Sequence, residues 1–216
     1  MKIEDMGDTG EGIGKTDGFT WFVKDAVIGD EVEAKVMKTK KSYGYARLEK
    51  IVNASPNRVT PPCPVARQCG GCQLQAMDYE EQLKYKERKI YNNIKRIGGF
   101  DEVPMLPVMG MEEPWRYRNK AQFPWGTDKD GKIITGFFAG RTHAIIENED
   151  CLLGIEENRE ILKIIKNHLE RYHIRPYDEA SHSGLIRHTL IRKGFHTGEL
   201  MVCQAVSYTH LTLPTN

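Results

Sequence analysis

Along residues 1–55 apolar and polar positions alternate with a period of two. Phe19-Thr-Trp-Phe-Val23 is a compact β-prone run. Glu31-Val-Glu-Ala-Lys-Val-Met37 alternates strictly and is expected to place Val32, Ala34 and Val36 on one buried face. Tyr43 to Val52 reads as a further strand, and Ile28-Gly-Asp30 as a turn. Short strands joined by glycine turns at this density predict a small barrel of the OB type. Gly10-Glu-Gly12-Ile-Gly14 does not meet the G-x-G-x-x-G spacing and no strand precedes it, so it takes a strand-and-turn role rather than a dinucleotide-binding one.

The period then changes. Asn53 to Pro62 is a polar, proline-rich connector. Asp78-Tyr-Glu-Glu81 forms an Asx capping box that opens a helix running to about Ile97. Leu83, Ile90, Ile94 and Ile97 share one face, and Gly98-Gly99 ends the helix. Lys84, Lys86, Arg88, Lys89, Lys95 and Arg96 form an opposite, solvated face. From Arg116 the strand pattern returns. Arg118–Trp125, the turn Asp128–Gly131 and Ile133–Phe138 predict a hairpin, and a strand over Arg141–Ile146 leads to Cys151. Ile155 to Tyr172 is an amphipathic helix with Ile161, Leu162, Ile165 and Leu169 inward. Leu185–Arg192 and Glu199–Ala205 flank the turn His196-Thr-Gly198 as a second hairpin. The sum is an α+β chain, mainly β. Its expected organisation is an N-terminal barrel over 1–55, a cysteine-bearing loop and amphipathic helix over 56–100, and a central α+β domain over 101–205.

A hydrophobic fraction of 39% and a charged fraction of 28% are those of an ordinary soluble protein, so neither a disordered nor a membrane chain is expected. The start, Met1-Lys-Ile-Glu-Asp-Met-Gly, carries no apolar core for a signal peptide, and no apolar run reaches spanning length. A cytoplasmic monomer with no membrane partner is expected. The five cysteines then belong to a reducing compartment and to metal rather than to disulfides.

Three of them crowd into Cys63-Pro-Val-Ala-Arg-Gln-Cys69-Gly-Gly-Cys72. The glycine pair allows a tight backbone path, and Pro61, Pro62 and Pro64 keep the segment out of helix or central strand. A zinc site or an iron–sulfur cluster of this type takes four thiolates, so a fourth must come from elsewhere. Cys151, in the loop-like Asn148-Glu-Asp-Cys151, is a better candidate than Cys203, whose apolar strand context argues for packing. The net charge of +1 gives no global nucleic-acid footprint, but its distribution does. Lys35, Lys38, Lys40, Lys41, Arg47 and Lys50 face only Glu49 in that stretch, with Tyr43 and Tyr45 interleaved. Cations for phosphates beside rings for stacking suit single-stranded RNA; a solvated hairpin edge guarded by lysines is the plainer alternative.

Cys63-x5-Cys69-Gly-Gly-Cys72-Gln-Leu-Gln with a distant fourth cysteine resembles the iron–sulfur RNA uracil-5-methyltransferases of the 23S rRNA type. The likeness extends to Gln82-Leu-x-Tyr-Lys86, Trp115-x-Tyr-Arg-Asn-Lys120 and Leu185-Ile-Arg187. It implies a TRAM-like N-terminal barrel and a [4Fe–4S] cluster on Cys63, Cys69, Cys72 and Cys151. It also implies S-adenosylmethionine as methyl donor and RNA, foremost 23S rRNA, as partner. RNA contacts are expected from Lys38, Lys40, Lys41, Tyr43, Arg47, Arg116, Arg118 and Lys120. In that family a cysteine thiolate adds to C6 of a flipped-out uracil, C5 takes the methyl group, and a base removes the C5 proton. Those groups lie in a C-terminal Rossmann-like domain, and no strand–helix alternation of that kind follows Tyr172. No catalytic residue and no S-adenosylmethionine site is therefore assigned in this chain, which is expected to bind RNA without methylating it.

Two other readings compete. Radical methylthiotransferases also pair a TRAM-like barrel with a cluster, but their C-x3-C-x2-C spacing differs from the spacing here. A free-standing RNA-binding module holding zinc or a cluster on the four cysteines would share every feature read so far. Finally, Val206-Ser-Tyr-Thr-His-Leu-Thr-Leu-Pro-Thr215 resembles a translated transposon sequencing adapter, so residues 206–216 are expected to be a non-native tail that interrupts the protein in mid-domain. An exposed apolar face on the 185–205 hairpin would follow.

Overall fold

The computed structural model describes residues 1–207, which divide into two compact units, Met1–Arg67 with Cys72–Glu112, and Gln68–Gly71 with Glu113 onward. Of the closing stretch only Val206 and Ser207 are among the described residues.

The first unit opens with five strands, β1 (Ile3–Met6), β2 (Gly12–Thr16), β3 (Phe19–Lys24), β4 (Glu31–Thr39) and β5 (Tyr43–Asn53), in sheet order β1-β2-β3-β5-β4. The pairs are antiparallel except β3 with β5, which run parallel. The sheet closes on itself: the Ile3 N–H donates to Asp30 O and the Val32 N–H to Met1 O, both at 2.8 Å. The predicted barrel is thus formed. Ile3, Val23, Ala26, Val32 and Ala46 fill it. Gly14 is dictated by that closure, since a Cβ there would lie 2.6 Å from Lys2 O.

Val36 departs from the expected burial, being 53% exposed while Val32 is buried. The register of β4 against β5 shifts between Glu31 and Val32, between Glu33 and Ala34, and between Val36 and Lys38. The extra residues at the first two shifts, Val52 and Glu49, lie on β5, and only Met37 is extra on β4, so Val36 keeps its place opposite the buried Ala46 and is exposed because β4 carries no burial from Lys35 onward.

The connector after β5 is tied down by a buried ion pair. Asp30, with no exposed surface, accepts from the backbone N–H groups of Val27 (2.7 Å) and Ser55 (2.9 Å). Arg58 Nη2 donates to the same carboxylate at 2.6 Å and to Asp25 O at 2.8 Å. Burial pushes the Asp30 carboxyl up, but the bonds from Arg58, Ser55 and Val27 outweigh it and hold the group below its ordinary range.

Helix α1 (Tyr79–Arg96) starts as the sequence predicts, with the Asp78 side chain accepting from the Glu81 N–H at 3.1 Å. Its buried positions are Glu81 and Tyr85 rather than the isoleucines; Ile90 is 50% and Ile97 83% exposed. Tyr85 packs with Met6, Val27 and Met77 and donates its hydroxyl to Gly7 O at 2.8 Å, while Glu81 pairs with Arg88 at 2.8 Å. A polar anchor therefore fixes this helix, which hydrophobic periodicity could not show.

In the second unit β6 (Lys120–Thr127), β7 (Ile133–Phe138), β8 (Ile145–Glu147), β9 (Ile186–Lys193) and β10 (Leu200–Val206) form an antiparallel sheet in order β10-β9-β6-β7-β8. Both predicted hairpins are present. The strand expected over Arg141–Ile146 is shorter, because Arg141 sits in a turn at φ +61°. Helix α2 (Glu157–Arg171) buries Leu162 and Leu169 with Phe123, Trp125, Ile155, Ile186 and Ile191, and Ile161 and Ile165 pack against that core. Three polar groups at this core are linked in a chain: Trp125 Nε1 donates to Thr189 Oγ1 at 2.7 Å, and Thr189 donates to Gln204 Oε1 at 2.9 Å. Strand β10 is exposed from Leu200 to Ala205, with Leu200, Met201 and Val202 at 45–47%. Cys203, expected to be packed, is exposed.

Among the described residues no helix is long and apolar enough to cross a membrane.

Candidate nucleic-acid interface and cysteine loop

Strand register assembles a surface that sequence spacing shows only in part. The parallel pairing sets Thr20 beside Tyr43, Phe22 beside Tyr45 and Lys24 beside Arg47, while Trp21, Val23 and Ala46 fall on the other face. Phe22, Tyr43 and Tyr45 form a ring cluster, with centroids 5.6 Å apart for Phe22–Tyr43 and 5.7 Å for each of the other two pairs. Tyr43 meets the other two rings edge-to-face, at 81° and 85°, while Phe22 and Tyr45 are tilted by 37°, and the half-buried rings suit base stacking.

The cations follow the same register. Lys35 pairs with Arg47 and Lys38 with Tyr45 across β4 and β5, and all three basic side chains are exposed. Lys40 and Lys41 occupy the turn between these strands, closed by the Lys40 N–H donating to Tyr43 O at 2.7 Å. Arg47 pairs with Glu49 at 3.9 Å, with both side chains at least half exposed, so the pair holds little and leaves the guanidinium able to contact phosphate. Phe22 and Lys24 are additions to the predicted set. Parallel pairing of β3 with β5 puts them there, and no local pattern announces such a long-range pairing.

The predicted basic residues of the second unit separate into two kinds. Arg118 and Lys120 are exposed. Arg116 is instead held by Asp150, with Nη1 to Oδ1 at 2.7 Å, and by the carbonyls of Cys151 at 3.1 Å and Gly154 at 3.2 Å.

In the cysteine loop, Cys63 is buried and Cys69, Cys72 and Cys151 are half-buried. Cys63 and Cys72 belong to the first unit, Cys69 and Cys151 to the second. Cys69 bridges to Ala139, and the Gly70 N–H donates to Phe138 O at 2.9 Å. A Cβ on Gly70 would meet Gly140 Cα, Gly140 N and Phe138 O, each at 3.0 Å, so the close approach of two backbones requires glycine here. The Gly71 N–H points at Cys69 Sγ across 3.4 Å. All five cysteines lie among the described residues and none is in a disulfide. A set of four such sulfur donors fits an iron–sulfur or zinc group in kind and number. Among the described residues, however, no group of three or more His, Cys, Asp or Glu is gathered to hold a metal ion.

Residues 1–48 match the TRAM domain family. An uncharacterized RNA methyltransferase of Halalkalibacterium halodurans is 46% identical over 202 residues, covering 94% of this chain and 44% of that protein. One from Clostridium tetani shows the same identity and the same coverage. These relatives are RNA methyltransferases by name. The chain spans less than half of their length. Among solved structures, the tRNA (uracil-54, C5)-methyltransferase of Pyrococcus abyssi, in complex with S-adenosyl-L-homocysteine, superposes with a TM-score of 0.68. It is 27% identical and is matched over 98% of this chain and 47% of its own.

Proposed function

We propose that this chain is the RNA-holding portion of an S-adenosylmethionine-dependent RNA (uracil-5-)methyltransferase. The observation that carries the reading is the outer face of β3 and β5, where Phe22, Tyr43 and Tyr45 stand among Lys24, Lys35, Lys38 and Arg47. Rings take bases and cations take phosphates, so single-stranded RNA is the ligand class this face suits. Arg118 and Lys120 supply further phosphate contacts. Relatives named RNA methyltransferases, and a structural neighbour that modifies C5 of uracil, support the reaction class. The methyl donor site, the nucleophile and the base are assigned to the part of the longer relatives that this chain does not cover, and the chain by itself is taken to bind RNA without transferring a methyl group.

The target is proposed to be a uridine of 23S rRNA. Transfer RNA is the second candidate, favoured by the likeness to the Pyrococcus abyssi tRNA methyltransferase. Cys63, Cys69, Cys72 and Cys151 are proposed to ligate a [4Fe–4S] cluster of structural or RNA-positioning role. Zinc on the same thiols would mark a simpler RNA-binding module.

Fluorescence anisotropy with a labelled uridine-rich single strand tests the RNA reading. Each phosphate contact removed lowers the slope of log affinity against log salt by about one, so Lys38/Lys40/Lys41→Ala should lower it by up to about three. An unchanged slope removes this turn from the interface. Iron and acid-labile sulfide measured after anaerobic purification test the cluster. Cys151→Ala should lose both while Cys203→Ala keeps both, and equal iron in the two variants refutes the ligand assignment.

A further inference from the structure

The sequence pattern puts Arg116 at the RNA, yet its surroundings give it different work. Its backbone lies at φ +56°, a left-handed conformation that side-chain-bearing residues rarely adopt. On either side the chain is held in register with the segment after Cys151. The Arg116 N–H donates to Leu152 O and the Arg118 N–H to Leu153 O, both at 2.8 Å, and Arg118 bridges to Gly154. One nitrogen, Nη1, then reaches Asp150 Oδ1 and the carbonyls of Cys151 and Gly154. These three acceptors bracket a single turn, which the Gly154 N–H closes on Cys151 O at 2.9 Å.

The other side of the turn is equally constrained. A Cβ on Gly154 would fall 2.5 Å from Asn158 Nδ2. Asn158 is 2% exposed, and its side-chain amide makes no hydrogen bond among the described residues. A buried amide wedged against Gly154 and a guanidinium across the carbonyls leave the turn one conformation. The half-buried thiol of Cys151 rides on it.

We propose that Arg116 is a positioning residue for Cys151, fixing the Cys151–Gly154 turn through its carbonyls and Asp150, and is not an RNA contact. The inference rests on Cys151 being a ligand only for its biological meaning; the clamp itself is tested separately. A lysine ammonium carries three donors and can reach the same acceptors, whereas methionine keeps the bulk and loses every bond. The full chain, reduced and treated with chelator, is labelled with iodoacetamide and mapped by mass spectrometry, with exposed Cys203 as internal reference. Arg116→Met should speed labelling of Cys151 about tenfold, as when a hydrogen-bonded turn opens locally, and leave Cys203 unchanged. Arg116→Lys should restore a rate near that of the original chain.

An unaltered Cys151 rate in Arg116→Met overturns the proposal. So does a parallel rise at Cys203, which marks general loosening, or a lysine variant no slower than methionine. Should Arg116→Met not fold, Asp150→Asn removes the anchor of the guanidinium and is read by the same outcomes. Iron and sulfide in the anaerobically purified chain separate the two claims. If the unsubstituted chain holds neither, the cluster reading fails while labelling still decides the role of Arg116. If it holds both, Arg116→Met should lose a share that Arg116→Lys retains.

Discussion

Asp30 shows how much one carboxylate can hold in place. It gathers Val27, Ser55 and Arg58 and so anchors the connector after β5. With the Asp30 side chain fully buried and that of Arg58 only 17% exposed, removing one partner strands a charge, at a cost of about 3–5 kcal/mol. Arg58→Met is accordingly expected to lower the urea midpoint sharply, and Asp30→Asn/Arg58→Met much less than the sum of its parts. The pH dependence follows from the sign of the shift. The folded-state pKa of Asp30 lies below the ordinary carboxyl value, so its contribution is present above the unfolded pKa and is lost as pH falls through the folded one. Urea titrations from neutral pH down toward pH ~3 should show an acid-side loss of stability that Asp30→Asn flattens.

The cysteine loop argues the same way for elements. Gly70 must let two backbones meet, so Gly70→Ala should force Gly140 or Phe138 aside, break the bond to Phe138 O and cost about 1–3 kcal/mol in urea melts. Unchanged stability would mean that the loop relaxes freely. Glycine between the cysteines was legible as a demand for tight backbone, but the neighbour that makes the demand, far along the chain, was not. The same boundary runs through the fold. Local signals read correctly: the Asp78 cap, the turn at Asp128, the inward leucines of α2. Readings failed where tertiary partners overrode period. Val36 lies opposite Ala46 yet stays exposed where β4 runs out from under the core, and the burial of Tyr85 and Glu81 displaced the isoleucine face of α1. Cys203 looked buried because its strand is apolar, yet among the described residues β10 has a paired neighbour on one side only, β9, and stands exposed.

For the whole molecule, the net charge of +1 hides a segregated surface in which cations collect on the outer face of β3, β5 and β4 around three rings. Stacking and phosphate contact are separable, because only the latter releases counterions. The central claim is that this face holds single-stranded RNA by both means. It is tested most directly by the affinity of Tyr43→Ala and Phe22→Ala for a uridine-rich strand across a salt series. Loss of a stacking ring should weaken binding by about 1–3 kcal/mol at every salt concentration while the slope of log affinity against log salt stays that of the unsubstituted chain. Affinities for both variants equal to that of the unsubstituted chain would contradict the account.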